Sequence, residues 1–170
     1  MEKITSFKIL KICLPLLITN LVILFVFYYF FGDSINFTED FTFIIVLIIL
    51  MIIPLVPQLF LVLNHFRKNR NVGLTIYQDY LLLKSNGEQI IISENTINSW
   101  ELVGTSSKLK NSSIKFSLLD DLFYLKIGLK ESNKEIILSS LLYSKIDNVF
   151  QQLFPNPRKE DRVKFFPIIK

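Results

Sequence analysis

Two hydrophobic rhythms divide the chain. From Ile12 to Gly32, and again from Phe41 to Asn64, apolar residues follow one another without one charged side chain. Each run reaches the roughly 20 residues a helix needs to cross a hydrocarbon core about 30 Å thick. A domain of this size could not enclose two helices that are apolar all round. The pattern therefore predicts two membrane spans, about 12–32 and 41–64, with a loop at 33–40. Pro15, Pro54 and Pro57 are read as tolerated kinks, and Asn20 as a polar residue placed to help the spans pair.

From Val72 the period falls to two. "GLTIY", "YLLLK", "EQIIIS", "INSWELVG", "SSIKFSLL", "LFYLKIGLK" and "KEIIL" are short and rich in Ile, Leu, Phe and Tyr. Turn chemistry separates them at Gln78-Asp79, Asn86-Gly87, 109–112, Asp120-Asp121 and Ser132-Asn133. That spacing predicts about seven antiparallel strands. In the sixth, Phe123, Leu125, Ile127 and Leu129 alternate with Tyr124, Lys126, Gly128 and Lys130, as in a strand with one face on a core. The rhythm then turns helical: Leu142, Ile146, Val149, Phe150 and Leu153 share one face. Ser139 or Ser140 is placed to cap that helix and Pro155 to end it. The expected architecture is α+β: a membrane hairpin at 1–71, a folded module at 72–154, and a basic, apolar tail at 155–170.

Charge fixes the expected orientation. The head carries Lys3, Lys8 and Lys11, and the exit from the second span carries Arg67, Lys68 and Arg70, whereas the connector has Asp33, Glu39 and Asp40 and no basic residue. Under the positive-inside rule both termini lie in the cytoplasm of a multi-pass inner-membrane protein. A cleaved signal peptide is the competing reading of the first run, but its apolar core is too long and no small-x-small cleavage site follows. The formal charge of +4 sits largely beside the spans, so it marks topology before it marks a nucleic-acid partner. The stretch 65–71, read as a linker, reaches at most roughly 25 Å and keeps the module near the inner leaflet.

The segments "VGLTIYQDYLLLKSNGEQIIIS", "INSWEL" and "LLYSKIDNVFQQLF", following two spans, resemble the bacterial membrane proteins that carry a pleckstrin-homology-like domain. The resemblance covers nearly the whole chain and contains no catalytic signature. It implies a bent, nearly closed antiparallel barrel of about seven strands, with one amphipathic C-terminal helix plugging an open end. One departure limits it. Phosphoinositide-binding members have a long basic loop between the first two strands, whereas this chain has only Gln78-Asp79, so specific phosphoinositide recognition is not carried over.

Reactive chemistry is sparse. His65, the one histidine, stands beside Arg67 and reads as a solvated linker side chain. Cys13, the one cysteine, falls inside the first apolar run, so no disulfide framework or cysteine metal site is available. Asp120 and Asp121 are adjacent turn residues, and the scattered glycines form no phosphate-cradling loop. Lys108, Lys110 and Lys115 are interleaved with Glu94, Glu101, Asp120 and Asp121, a mixed surface poorly suited to nucleic acid. Trp100 reads as a packing residue.

The sequence thus predicts a non-enzymatic membrane protein with no cofactor. Its partners are the lipid bilayer and an unidentified membrane or cytoplasmic protein, bound by the module. A protective, immunity-type protein acting through its spans and outer loop is the alternative. The candidate sites are the membrane-proximal basic cluster Arg67, Lys68 and Arg70, and an interfacial tail of Arg162, Lys164, Phe165 and Phe166. Phe and basic residues together suit shallow insertion, although the tail could equally be disordered or add an edge strand.

Overall fold

A computed structural model describes residues 1–31, 41–110, 121–130, 135–157 and 161–170. Two long helices open it, α1 (Ser6–Phe31) and α2 (Phe41–Asn69). Both are long and apolar enough to cross a membrane, and only 6% of each apolar window is buried, unlike the core helix of a soluble protein. Side chains such as Leu21, Phe25, Ile49 and Ile53 point outward, each about half or more exposed. Such a surface left in water would forfeit roughly 25 cal/mol for every Å² of apolar area. α1 runs unbroken through Pro15. Asn20 donates to the carbonyl of Leu16 in its own helix, 2.8 Å away.

The remainder is β-rich. A meander of β1 (Val72–Ile76), β2 (Tyr80–Ser85) and β3 (Glu88–Ser93) forms one antiparallel sheet. Its second turn is Asn86-Gly87, whose φ values of 50° and 87° give the hairpin a twist that matches its strands. The second sheet has the order β6-β5-β4-β7, built from β4 (Ile97–Gly104), β5 (Tyr124–Leu129), β6 (Glu135–Ser139) and the two-residue β7 (Arg162–Val163). A single turn of helix, α3 (Ser106–Leu109), follows β4. α4 (Ile146–Leu153) follows β6. The core between the sheets gathers Leu74, Leu81, Leu83 and Ile92 from the first, Trp100, Leu125, Ile127 and Leu138 from the second, and Phe150 of α4.

Several expectations are corrected. The seven-strand barrel is not closed: among the described residues β3 and β4 are not paired, and the chain makes two sheets. β7 joins β4 in parallel and comes from the tail, so the second sheet is mixed. α4 starts at Ile146 with Lys145 at the N-cap position, which offers no acceptor, and Ser139 and Ser140 lie too far upstream and have other partners. The Ser140 hydroxyl donates to the carbonyl of Asp121 and accepts from the amide of Phe123, knitting the end of β6 to the start of β5. The expected strand "SSIKFSLL" and the loop 33–40 lie outside the described residues.

Candidate functional site

The stretch read as a linker is the last part of α2, which stays helical to Asn69. Helical geometry then brings Leu61, Val62, His65 and Asn69 onto neighbouring positions, and all four are buried. Leu61 and Val62 pack with Leu122 and Leu141 of the β-rich domain, and Ile9, Ile12 and Cys13 of α1 border the same cluster.

Three polar side chains complete this joint. Asn64 grips the backbone of Ile169 from both sides: its Nδ2 donates to the carbonyl at 3.0 Å and its Oδ1 accepts from the amide at 2.8 Å. Asn69 Oδ1 accepts from the amide of Ser139 at 2.9 Å. His65 lies between them, with Nδ1 2.6 Å from the Ser139 hydroxyl and Nε2 2.9 Å from the carbonyl of Pro167. A carbonyl only accepts, so Nε2 carries the proton and Nδ1 accepts from the serine hydroxyl. The Ser139 oxygen also accepts from the amide of Leu141 at 3.0 Å. Every polar atom of the imidazole is therefore matched, as a buried ring requires.

This corrects the reading of His65 as a solvated side chain. It has no exposed surface, and burial pushes its imidazole down to about 4. A serine hydroxyl on an imidazole also begins many hydrolase sites. Here both side chains are fully buried, and a carbonyl rather than a carboxylate holds the far nitrogen. The pair ties α2 to β6 and to the tail.

The basic cluster is displayed around the joint. Arg67 and Lys68, in the last turn of α2, are exposed, as is Arg70 just beyond it. The tail is ordered and lies along the edge of β4 as β7. Arg162 pairs with Glu101 at 3.0 Å, and Lys164 donates to the Tyr124 hydroxyl at 3.2 Å. Phe165 is 83% exposed and Phe166 38%. The structure thus brings the tail and the end of α2 together through Asn64 and His65, which sequence reading missed. The available signal was the spacing of Asn64, His65 and Asn69, polar residues on one face of a helix that is otherwise apolar up to that point.

The head of the chain joins too. Glu2 forms a two-way antiparallel bridge with Leu74. The Lys8 ammonium reaches the Glu2 carboxylate at 2.6 Å and the carbonyl of Leu142 at 2.7 Å.

Clefts on the domain surface among the described residues include two of different character. One, of about 430 Å³, is lined by Asp79, Tyr80, Ile91, Ser93, Glu94 and Asn95. Tyr80 and Ile91, which is 53% exposed, give it an apolar side, Tyr77 stacks on Tyr80 from outside with centroids 4.5 Å apart, and Asp79, Ser93, Glu94 and Asn95 make the rest of the wall polar and acidic. It lies at the far end of β1 from α2, five residues or roughly 16 Å along the strand. The second, about 330 Å³, has a polar wall, where Lys108 and Asp147 are already paired at 2.7 Å. Among the described residues no group of three or more His, Cys, Asp or Glu could hold a metal ion. Trp100, a packing residue, is 1% exposed and donates its indole N–H to the carbonyl of Phe154 at 2.8 Å.

No family model, no curated protein and no solved structure matches this chain.

Proposed function

We propose that this is a non-enzymatic integral membrane protein whose β-rich domain serves as a membrane-anchored protein-interaction module. The carrying observation is the joint: α2 does not end in a tether but enters the domain, where Asn64, His65 and Asn69 bond its backbone and side chains. A domain held this way stays at a fixed height and rotation beside the bilayer. The cleft at Tyr80 and Ile91, walled by Asp79 and Glu94, lies at the other end of β1 from the joint and offers a partner both an apolar and an acidic side. On this reading both termini are cytoplasmic, and the domain is a pleckstrin-homology-like fold in which α4 covers the core between the two sheets. The meander order and the burial of Phe150 against Trp100, with centroids 5.7 Å apart, support it.

The test combines topology and contact. Alkaline phosphatase fused after Lys170 is expected to be inactive in a bacterial host, and a cytoplasmic fluorescent reporter bright. A photo-crosslinker at Ile91 in the full chain is expected to give a discrete protein adduct that the same group at exposed Gln151 does not. An active phosphatase overturns the orientation. Adducts arising from the segment 33–40 instead of Ile91 favour the protective alternative.

A further inference from the structure

We propose that Phe165 and Phe166 form a third contact with the bilayer, a shallow aromatic wedge in the headgroup layer on the side of the β-rich domain. The inference rests on α1 and α2 being membrane spans.

The pair is exposed yet held in place. Phe165 is the most exposed large apolar side chain among the described residues, and Val163 and Ile168, at 45% and 37%, widen the patch. The two rings meet edge to face, 4.8 Å apart. The backbone on either side is fixed: the amide of Lys164 donates to Gly104, and that of Ile168 to Phe166, both at 2.8 Å. Pro167 and Ile169 are tied to His65 and Asn64. An apolar protrusion on an ordered turn gains nothing from water, and a neighbouring apolar phase is what would reward it.

Depth identifies that phase. α2 has 29 residues, so at about 1.5 Å per residue it is roughly 43 Å long, against about 30 Å for the hydrocarbon core and 40–45 Å with headgroups. If Phe41 marks one hydrocarbon boundary, the other falls near Leu61. Packing begins at the same level independently, because Leu61 and Val62, with Phe66 a turn further on, are the α2 residues clustered with Leu122 and Leu141. His65, one turn further, then lies about 6 Å beyond the boundary, within a headgroup layer some 5–8 Å deep. The carbonyl of Pro167 sits on His65, and the two phenylalanines immediately precede it. Phe, with Trp and Leu, is among the residues that amphipathic segments bury at this depth. Exposed Lys170, Arg67 and Lys68 around the same joint suit anionic headgroups.

The experiment uses the full chain in vesicles of phosphatidylcholine and phosphatidylglycerol in equal parts, with Phe165→Trp as the probe. Because that side chain is exposed, the substitution leaves the packing intact. The parent's single, buried Trp100 supplies the baseline, and Val22→Trp, on the exposed flank of α1, reports on the span. Lipids brominated high on the acyl chain are expected to quench about half of the Phe165→Trp emission, and lipids brominated near the chain end to quench it less. Val22→Trp should show the opposite preference. If Phe165→Trp is unquenched and emits as in water while Val22→Trp is quenched, the wedge is overturned, the spans stand, and a protein partner takes over that surface. If neither is quenched, the membrane reading falls with it.

Discussion

At the scale of single residues, the proton on His65 ties stability to pH. The imidazole is held neutral by burial, with Nε2 donating to Pro167 and Nδ1 accepting from Ser139. Burial is the main cause of its lowered pKa, and the bond to Pro167 opposes it. Around the ring stand Tyr124, at 6.0 Å between centroids, and Lys164, whose ammonium bonds the Tyr124 hydroxyl. The folded value of about 4 lies below the ordinary 6.5, so between those values the unfolded chain binds more protons than the folded one. Stability from this group is complete above about pH 6.5 and declines as pH falls toward 4. A depression of this size corresponds to a few kcal/mol at most. Melting of the full chain in detergent, followed by Trp100 emission, is expected to be level above pH 6.5 and to drop steadily from there to pH 5. The variant His65→Gln should melt lower at every pH but lose that slope; an unchanged slope would place the titration elsewhere.

At the scale of elements, α4 is eight residues long and owes its position to one side rather than to its ends. It has no side-chain N-cap, and so short a helix is marginal by itself. Ile146 and Phe150 supply its buried face, and Phe150 stands between Trp100 and Phe154, with centroids at 5.7 and 5.3 Å. Phe150→Ala leaves a cavity there and is expected to cost about 3–5 kcal/mol, read as a lowered denaturation midpoint. A loss below about 1 kcal/mol would mean that the site collapses freely or that α4 is not part of the cooperative unit. The helical spacing of those residues was legible in the sequence, as were β1 to β6 but not β7, because period-two and period-3.6 patterns are local. The start of the helix was not. Ser139 and Ser140 have the chemistry of caps, but partners at His65, Asp121 and Phe123 claim their hydroxyls. His65 was misread for the same reason, since its partners lie 74 and 102 residues away. Barrel closure was not legible either: β3 and β4 follow one another closely, and alternation alone does not say whether such neighbours pair or pass into separate sheets.

At the scale of the whole molecule, the joint redraws the unit that folds. A fragment starting at residue 72 keeps both sheets and α4 but loses every α2 group that completes them. The amides of Ser139 and Ile169 would give up their partners on Asn69 and Asn64. The carbonyl of Pro167 would lose His65, and Leu122 and Leu141 would be uncovered from Leu61 and Val62. Each exposed amide can turn to water, so the larger losses are apolar area and the anchoring of the tail. A fragment beginning at Leu61 restores all of these with little more than two turns of helix, and its start lies where the hydrocarbon boundary is placed. The fragment 61–170 is therefore expected to melt cooperatively several degrees above 72–170. In the shorter fragment, limited proteolysis should release the tail beyond Pro155 first, whereas in the longer one the tail should be protected. Equal melting temperatures and equal tail cleavage would show that α2 merely touches the domain, and the fixed height on which the interaction reading depends would have no physical basis.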